Sequence, residues 1–164
     1  MNTSFGFAVI FRWLLILGFC LQSLFACASQ PAVGDAVPAF AGKDQHGKEF
    51  VFTNGVRFLL VATERAVGTS ANHKLAEQGA GLLEKHQAVY VMDIHTMPGV
   101  ARFFALPKMR KYPHRIVLVD SAKTLTGFPV QPDRVTVLAL TPAGRIQKIS
   151  YWNPDQEPAA GCFQ

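Results

Sequence analysis

Apolar and polar residues follow three different rhythms along this chain. Residues 5–26 are almost wholly apolar. Farther on, Phe58-Leu59-Leu60-Val61-Ala62 and Val89-Tyr90-Val91-Met92 are short continuous apolar runs, the pattern of strands buried on both faces. Between and after them lie stretches with helical spacing or strand alternation. These rhythms predict strands over residues 49–53, 57–63, 88–94, 115–120, 135–140 and 145–152. They predict helices over residues 71–87 and 98–107. In the first helix Leu75, Leu82 and Leu83 face inward with Ala76 and Ala80, and Ser70 stands as the N-cap after Gly68-Thr69. Gly79 and Gly81 weaken that helix in its middle, each by roughly 1 kcal/mol relative to Ala. The second helix opens at Pro98-Gly99, where a missing N–H has no intrahelical partner to lose. It carries Val100, Phe103, Phe104 and Leu106, and Pro107 ends or kinks it. Residues 42–47, Asn54-Gly55 and Pro142-Ala143-Gly144 are turns. In the closing hairpin Val135, Val137 and Ala139 line one side, and Ile146 and Ile149 share a face only across a bulge. The order β-β-α-β-α-β-β-β implies an α/β domain, a central mixed sheet with helices on its faces.

The apolar N-terminus changes the picture of where this domain works. Arg12 precedes Trp13-Leu14-Leu15-Ile16-Leu17, and the small residues Ala26, Cys27 and Ala28 follow. That order is expected of a secretory signal peptide over residues 1–28. The run is short for a membrane span, which needs about 20 apolar residues, and Gln22 and Ser23 interrupt it. Two cleavage sites compete. Ala26-Cys27-Ala28 is an A-x-A site that releases a chain starting at Ser29. Leu24-Phe25-Ala26-Cys27 is similar to a bacterial lipobox, which removes residues 1–26 and lipidates Cys27. The lipoprotein reading is preferred, with Ala28-Ser29-Gln30-Pro31 as its tether, although Phe25 is bulky for that motif. The expected destination is the bacterial envelope, periplasmic or lipid-anchored, with the membrane met only through that anchor. Residues 29–37 then read as a linker, 38–152 as the domain and 153–164 as an irregular tail.

Cysteine content follows from this. Cys20 leaves with the leader and Cys27 is removed or lipidated, so Cys162 alone remains as a thiol. No intramolecular disulfide is expected despite an oxidising destination. The charge is mildly positive, +5 for the whole chain, and residues 99–115 hold Arg102, Lys108, Arg110, Lys111 and Arg115 without an Asp or Glu. Such a stretch suits acidic lipid headgroups, an acidic partner or plain solvent, the last preferred. Nothing there interleaves aromatics with charge in a nucleic-acid pattern, so no nucleic acid is expected.

Gly34-Asp35-Ala36-Val37-Pro38-Ala39-Phe40, Asp44-Gln45-His46-Gly47-Lys48, Tyr112-Pro113 with Asp120, and Pro142-Ala143-Gly144-Arg145-Ile146 stand in an order that resembles the redoxin (peroxiredoxin-type) branch of the thioredoxin-like fold. The first is similar to the family's opening, the second to its next turn, and the last two to its later segments. The resemblance covers roughly residues 32–152 and implies a three-layer sandwich. It also implies a thiolate at the N-terminus of the helix after the first central strand, where the helix dipole lowers the thiol pKa. Here that place is Glu64-Arg65-Ala66-Val67-Gly68-Thr69-Ser70-Ala71, which holds no Cys. The family's cis-Pro precedes the fourth strand, but Val135 stands there and Pro132 lies three residues early. The chain resembles a degenerate exported group of this branch that lacks the catalytic cysteines. The family's closing helix is missing as well, because Pro154 and Pro158 break the tail.

Three functions remain in competition at this level. The first is a non-catalytic binding or accessory module of the envelope, without catalytic residues, metal or cofactor. The second is a thiol-dependent, peroxiredoxin-like enzyme using Cys162. The third is a copper-handling protein using Met92, His95 and Met97, whose ligand types suit copper although Met92 alternates into the core. Ser70 and His73 share a helix face but lack a nucleophile elbow, so hydrolysis is set aside. Without a closing helix, one face of the hairpin is expected to lie bare, offering a surface to a homodimer or another protein.

Overall fold

The structure, a computed structural model, describes residues 30–125 and 127–164. The expected leader, both cleavage sites and Cys27 lie outside the described residues. The strands are β1 Ala41–Asp44, β2 Glu49–Val51, β3 Phe58–Ala62, β4 Ala88–Asp93, β5 Val117–Val119, β6 Val135–Leu140 and β7 Ile146–Trp152. The helices are α1 Arg65–Glu77, α2 Leu82–Lys85, α3 Gly99–Met109 and α4 Ala122–Leu125, followed by a 3-10 helix, Ala159–Phe163. One mixed sheet has the order β2-β1-β5-β4-β3-β6-β7. β3, β4 and β5 run parallel at its centre, as their continuous apolar character demands, with antiparallel strands on both sides.

The sheet separates two apolar layers. Leu60, Ala62, Tyr90, Met92, Ile116, Val135 and Val137 face α1, α2 and α3. Leu59, Val61, Val91, Val117, Leu138 and Ile146 face Val37, Phe40, Leu125 and Phe128 on the other side. The hairpin needs the expected irregularity. The β6–β7 register shifts between Ala139 and Leu140, pairing Leu138 with Ile149 but Leu140 with Ile146. The shift brings Ile146 and Ile149 into the same layer.

α1 begins earlier and ends earlier than its spacing suggested. It starts at Arg65, so Ser70 lies inside the helix instead of capping it. The buried residues Val67, Gly68, Ala71, Asn72 and Leu75 form one stripe that must follow β3 directly to reach the sheet. Gly79 adopts φ +86 and closes the helix by its N–H to the Ala76 carbonyl. The expected single helix therefore becomes α1 and the short α2. Residues expected to form a linker are docked instead: Gly34 and Val37 donate to the carbonyls of Ile146 and Gly144.

The tail corrects two expectations, that it is irregular and that it leaves the hairpin bare. It folds back as the 3-10 helix, placing Ala159 and Cys162 in the layer that holds Val135, Val137 and Trp152. Phe163 stands edge-on to Phe58 and stacks on His86 at 4.3 Å. The Trp152 indole N–H donates to the Glu157 carbonyl at 3.1 Å and ties the turn down. The two prolines do not prevent this: Pro154 lies in the turn before the 3-10 helix, and Pro158 is that helix's N-cap.

Candidate functional site

The C-terminal ends of β3 and β4, with the N-terminus of α1 and the loop before β6, form the expected site. Glu64 caps α1 in an extended conformation without a side-chain bond to the helix. Its carboxylate instead accepts the Asp133 N–H at 3.4 Å, and Asp133 holds φ +57. The loop preceding β6 has no cis peptide, nor does any other described residue. Glu64, Arg65 and Ala66 are exposed. Beneath them, Gly68 presses on Met92: a Cβ there would lie 2.8 Å from the Met92 Cε. The buried Tyr90 hydroxyl donates to the Gly68 carbonyl at 3.2 Å, and burial holds that phenol protonated. The first turn of α1 is thus packed from below and carries no thiol, thiolate or imidazole.

One turn along, α1 meets a polar cluster that the spacing of histidines did not reveal. His114 Nε2 lies 3.0 Å from the Asn72 Oδ1, so this nitrogen carries the proton. His114 Nδ1 is then a bare lone pair, and it has no hydrogen-bond partner among the described residues. Burial pushes the imidazole down to about 4, so the ring is neutral. Asn72 also points its amide toward Met92 Sδ at 4.0 Å. Tyr112 tilts against His114 with centroids 5.5 Å apart, and its hydroxyl lies 3.3 Å from His73 Nε2. Asn72, His73 and Tyr112 of this cluster border a recess of about 450 Å³ between α1 and α3, whose lining also includes Thr69 and Lys108. Tyr112 and His114 lie two positions apart in the bend ahead of β5, and no pattern along the chain marked them as meeting His73 and Asn72.

The other candidates separate. Cys162 is buried in the tail, and burial first, then the Glu157 charge, pushes its thiol up to about 12. Met92 packs on Gly68, Met97 is buried, and both Asp93 oxygens hold His95 Nδ1, at 2.7 and 2.8 Å. No group of three or more His, Cys, Asp or Glu fit to hold a metal occurs among the described residues. The basic stretch is also divided. Arg102 donates to the carbonyls of Met97, Ile94 and His95 and pairs with Asp120. Arg115 pairs with Asp44 and lies over the Phe50 ring at 5.2 Å. Lys108 and Lys111 stay exposed. A larger recess, about 550 Å³, lies on the other side of α3 between Leu106, Arg110 and the β1–β5 pair.

Comparison with solved structures decides what this arrangement is. A peroxiredoxin-like protein from Aquifex aeolicus matches with a TM-score of 0.54 at 12% identity, covering 80% of this chain and 83% of its own. The thioredoxin domain of a thiol-disulfide oxidoreductase from Bacteroides vulgatus matches with a TM-score of 0.53 at 16% identity, covering 75% and 91%. The fold is thioredoxin-like. A peroxidoxin from Mycobacterium tuberculosis, at 12% identity and a TM-score of 0.52, covers 76% of this chain and 90% of its own. No family model and no curated protein matches the chain. At such identities the likeness concerns the thioredoxin-like fold alone, and α1 of this chain must be read from its own residues.

Proposed function

We propose that this thioredoxin-like chain is a non-catalytic binding or accessory module exported to the bacterial envelope. The observation that carries the reading is the first turn of α1, Arg65-Ala66-Val67-Gly68. Redox chemistry on a helix N-terminus needs a thiol that the dipole activates. This turn has none, and Met92 fills the space beneath Gly68 where a side chain would start. The only described thiol, Cys162, lies in the tail, where burial favours its protonated and unreactive form. Export is supported by the order of Arg12, the apolar run and Ala26-Cys27-Ala28. The test is turnover by the purified chain in insulin-reduction and peroxide assays. The expected result is background turnover for both the parent chain and Cys162→Ser. Turnover well above background in either protein overturns the reading, and its loss in Cys162→Ser assigns the chemistry to that thiol.

A further inference from the structure

One face of α3 is built unlike the rest of the surface. Val100, Phe103, Phe104, Pro107 and Lys108 follow the spacing i, i+3, i+4, i+7, i+8, so they form a single stripe along the helix, and Lys111 follows in the turn just past its end. All six are exposed. Val100 and Phe103 are each 74% exposed and Phe104 is 63% exposed, with the two rings edge to face at 5.4 Å. The other exposed large apolar residues, Val33, Val51 and Val130, do not lie on this helix. The stripe is therefore apolar over the first two turns and basic over the last. Of the other basic residues of this stretch, Arg102 is held by Asp120 and three carbonyls, Arg115 by Asp44, and Arg110 donates to the Gln45 carbonyl on the other side of the helix. Lys108 and Lys111 have no ion-pair partner among the described residues.

We propose that this stripe docks on an anionic phospholipid surface. Val100, Phe103 and Phe104 enter the boundary between headgroups and acyl chains, and Lys108 and Lys111 meet the headgroup phosphates. The charge pattern favours lipid over a second copy. Residues 99–115 contain no Asp or Glu, so two α3 helices packed on each other would bring only like charges together. A ridge with adjacent protruding phenyl rings also suits a deformable bilayer, which needs no complementary pocket. The inference does not depend on the absence of catalysis.

The test mixes the purified full chain with vesicles of phosphatidylglycerol and phosphatidylcholine, or of phosphatidylcholine alone. The change in the ratio of binding to the two is the first readout, since a leader or acyl anchor is the same in every variant and cancels in that comparison. The expected ratio for the parent chain favours the anionic vesicles. Lys108→Gln with Lys111→Gln lowers that ratio by roughly fivefold for each lysine, the usual weight of one basic residue at such a surface. The second readout is Phe103→Trp fluorescence in anionic vesicles containing brominated lipid, with the parent chain subtracted. Quenching of the added tryptophan is expected. An unchanged ratio in the lysine variant overturns the proposal, and so does an unquenched tryptophan. A lipid-free dimer that Phe103→Ser with Phe104→Ser dissociates assigns the stripe to a second copy and likewise overturns it. All of these side chains are exposed, and circular dichroism verifies that each variant keeps the fold.

Discussion

His114 makes this protein sensitive to mild acid, and the size of the effect follows from its burial. The ring is 3% exposed, with Nε2 on Asn72 and no partner on Nδ1. Its neighbours are the Tyr90 and Tyr112 rings, and no carboxylate pairs with it among the described residues. A proton added to Nδ1 would place a charge where nothing balances it. The folded pKa is therefore about 4 against 6.5 for the free imidazole. Above the higher value both states are neutral and the group has no effect. As the pH falls below it, the unfolded chain takes up a proton that the folded one refuses, so stability drops. The drop ends once the pH passes below the folded value. Taken over that window, the loss reaches about 3 kcal/mol, of which about 2 kcal/mol appears between about pH 7.5 and about pH 5. Urea unfolding followed by circular dichroism at those two pH values measures it. His114→Gln keeps a polar group near Asn72 but does not titrate there. The expected result is a parent chain that loses about 2 kcal/mol more than the variant on acidification. Equal losses in the two proteins would refute the argument, because other groups would then carry the whole pH dependence.

Gly68 and Met92 form a second test. Gly68→Ala gains about 1 kcal/mol of helix propensity but forces a Cβ against the buried Met92, an overpacking cost of about 1–3 kcal/mol. In a Met92→Ala background that collision is gone, so a double-mutant cycle in urea should give a coupling of about 1–2 kcal/mol; additivity would show that Met92 moves aside freely. Deletion of residues 158–164 removes the buried Ala159 and Cys162 and the packed Phe163, and should cost roughly 3 kcal/mol in urea unfolding. Unchanged stability would mean that the tail is not the cover of the hairpin.

Much of the fold is legible along the chain because sheet strands announce themselves locally. Runs such as Leu59-Leu60-Val61 can only be buried on both faces, and the odd spacing of Ile146 and Ile149 demands a bulge if both are to reach one layer. The missing thiol at the start of α1 is equally plain, since identity and order suffice to see it. What distance along the chain conceals is decided in three dimensions. Pro154 and Pro158 argue locally against a helix, but the hairpin face formed by Val135 and Val137 rewards any segment that covers it, and a 3-10 turn is enough. Asn72 and His114 are 42 positions apart and meet only because α1 and the β5 approach pack on one layer. The division of the basic stretch is likewise tertiary: Asp120 and Asp44 claim Arg102 and Arg115 from other elements, while Lys108 and Lys111 stay exposed. Sequence by itself determines which side chains exist and which faces they share within one element. Which polar group finds a partner, and which is left facing water, is set by elements that fold together from far apart, because pairing and burial depend on distance in space.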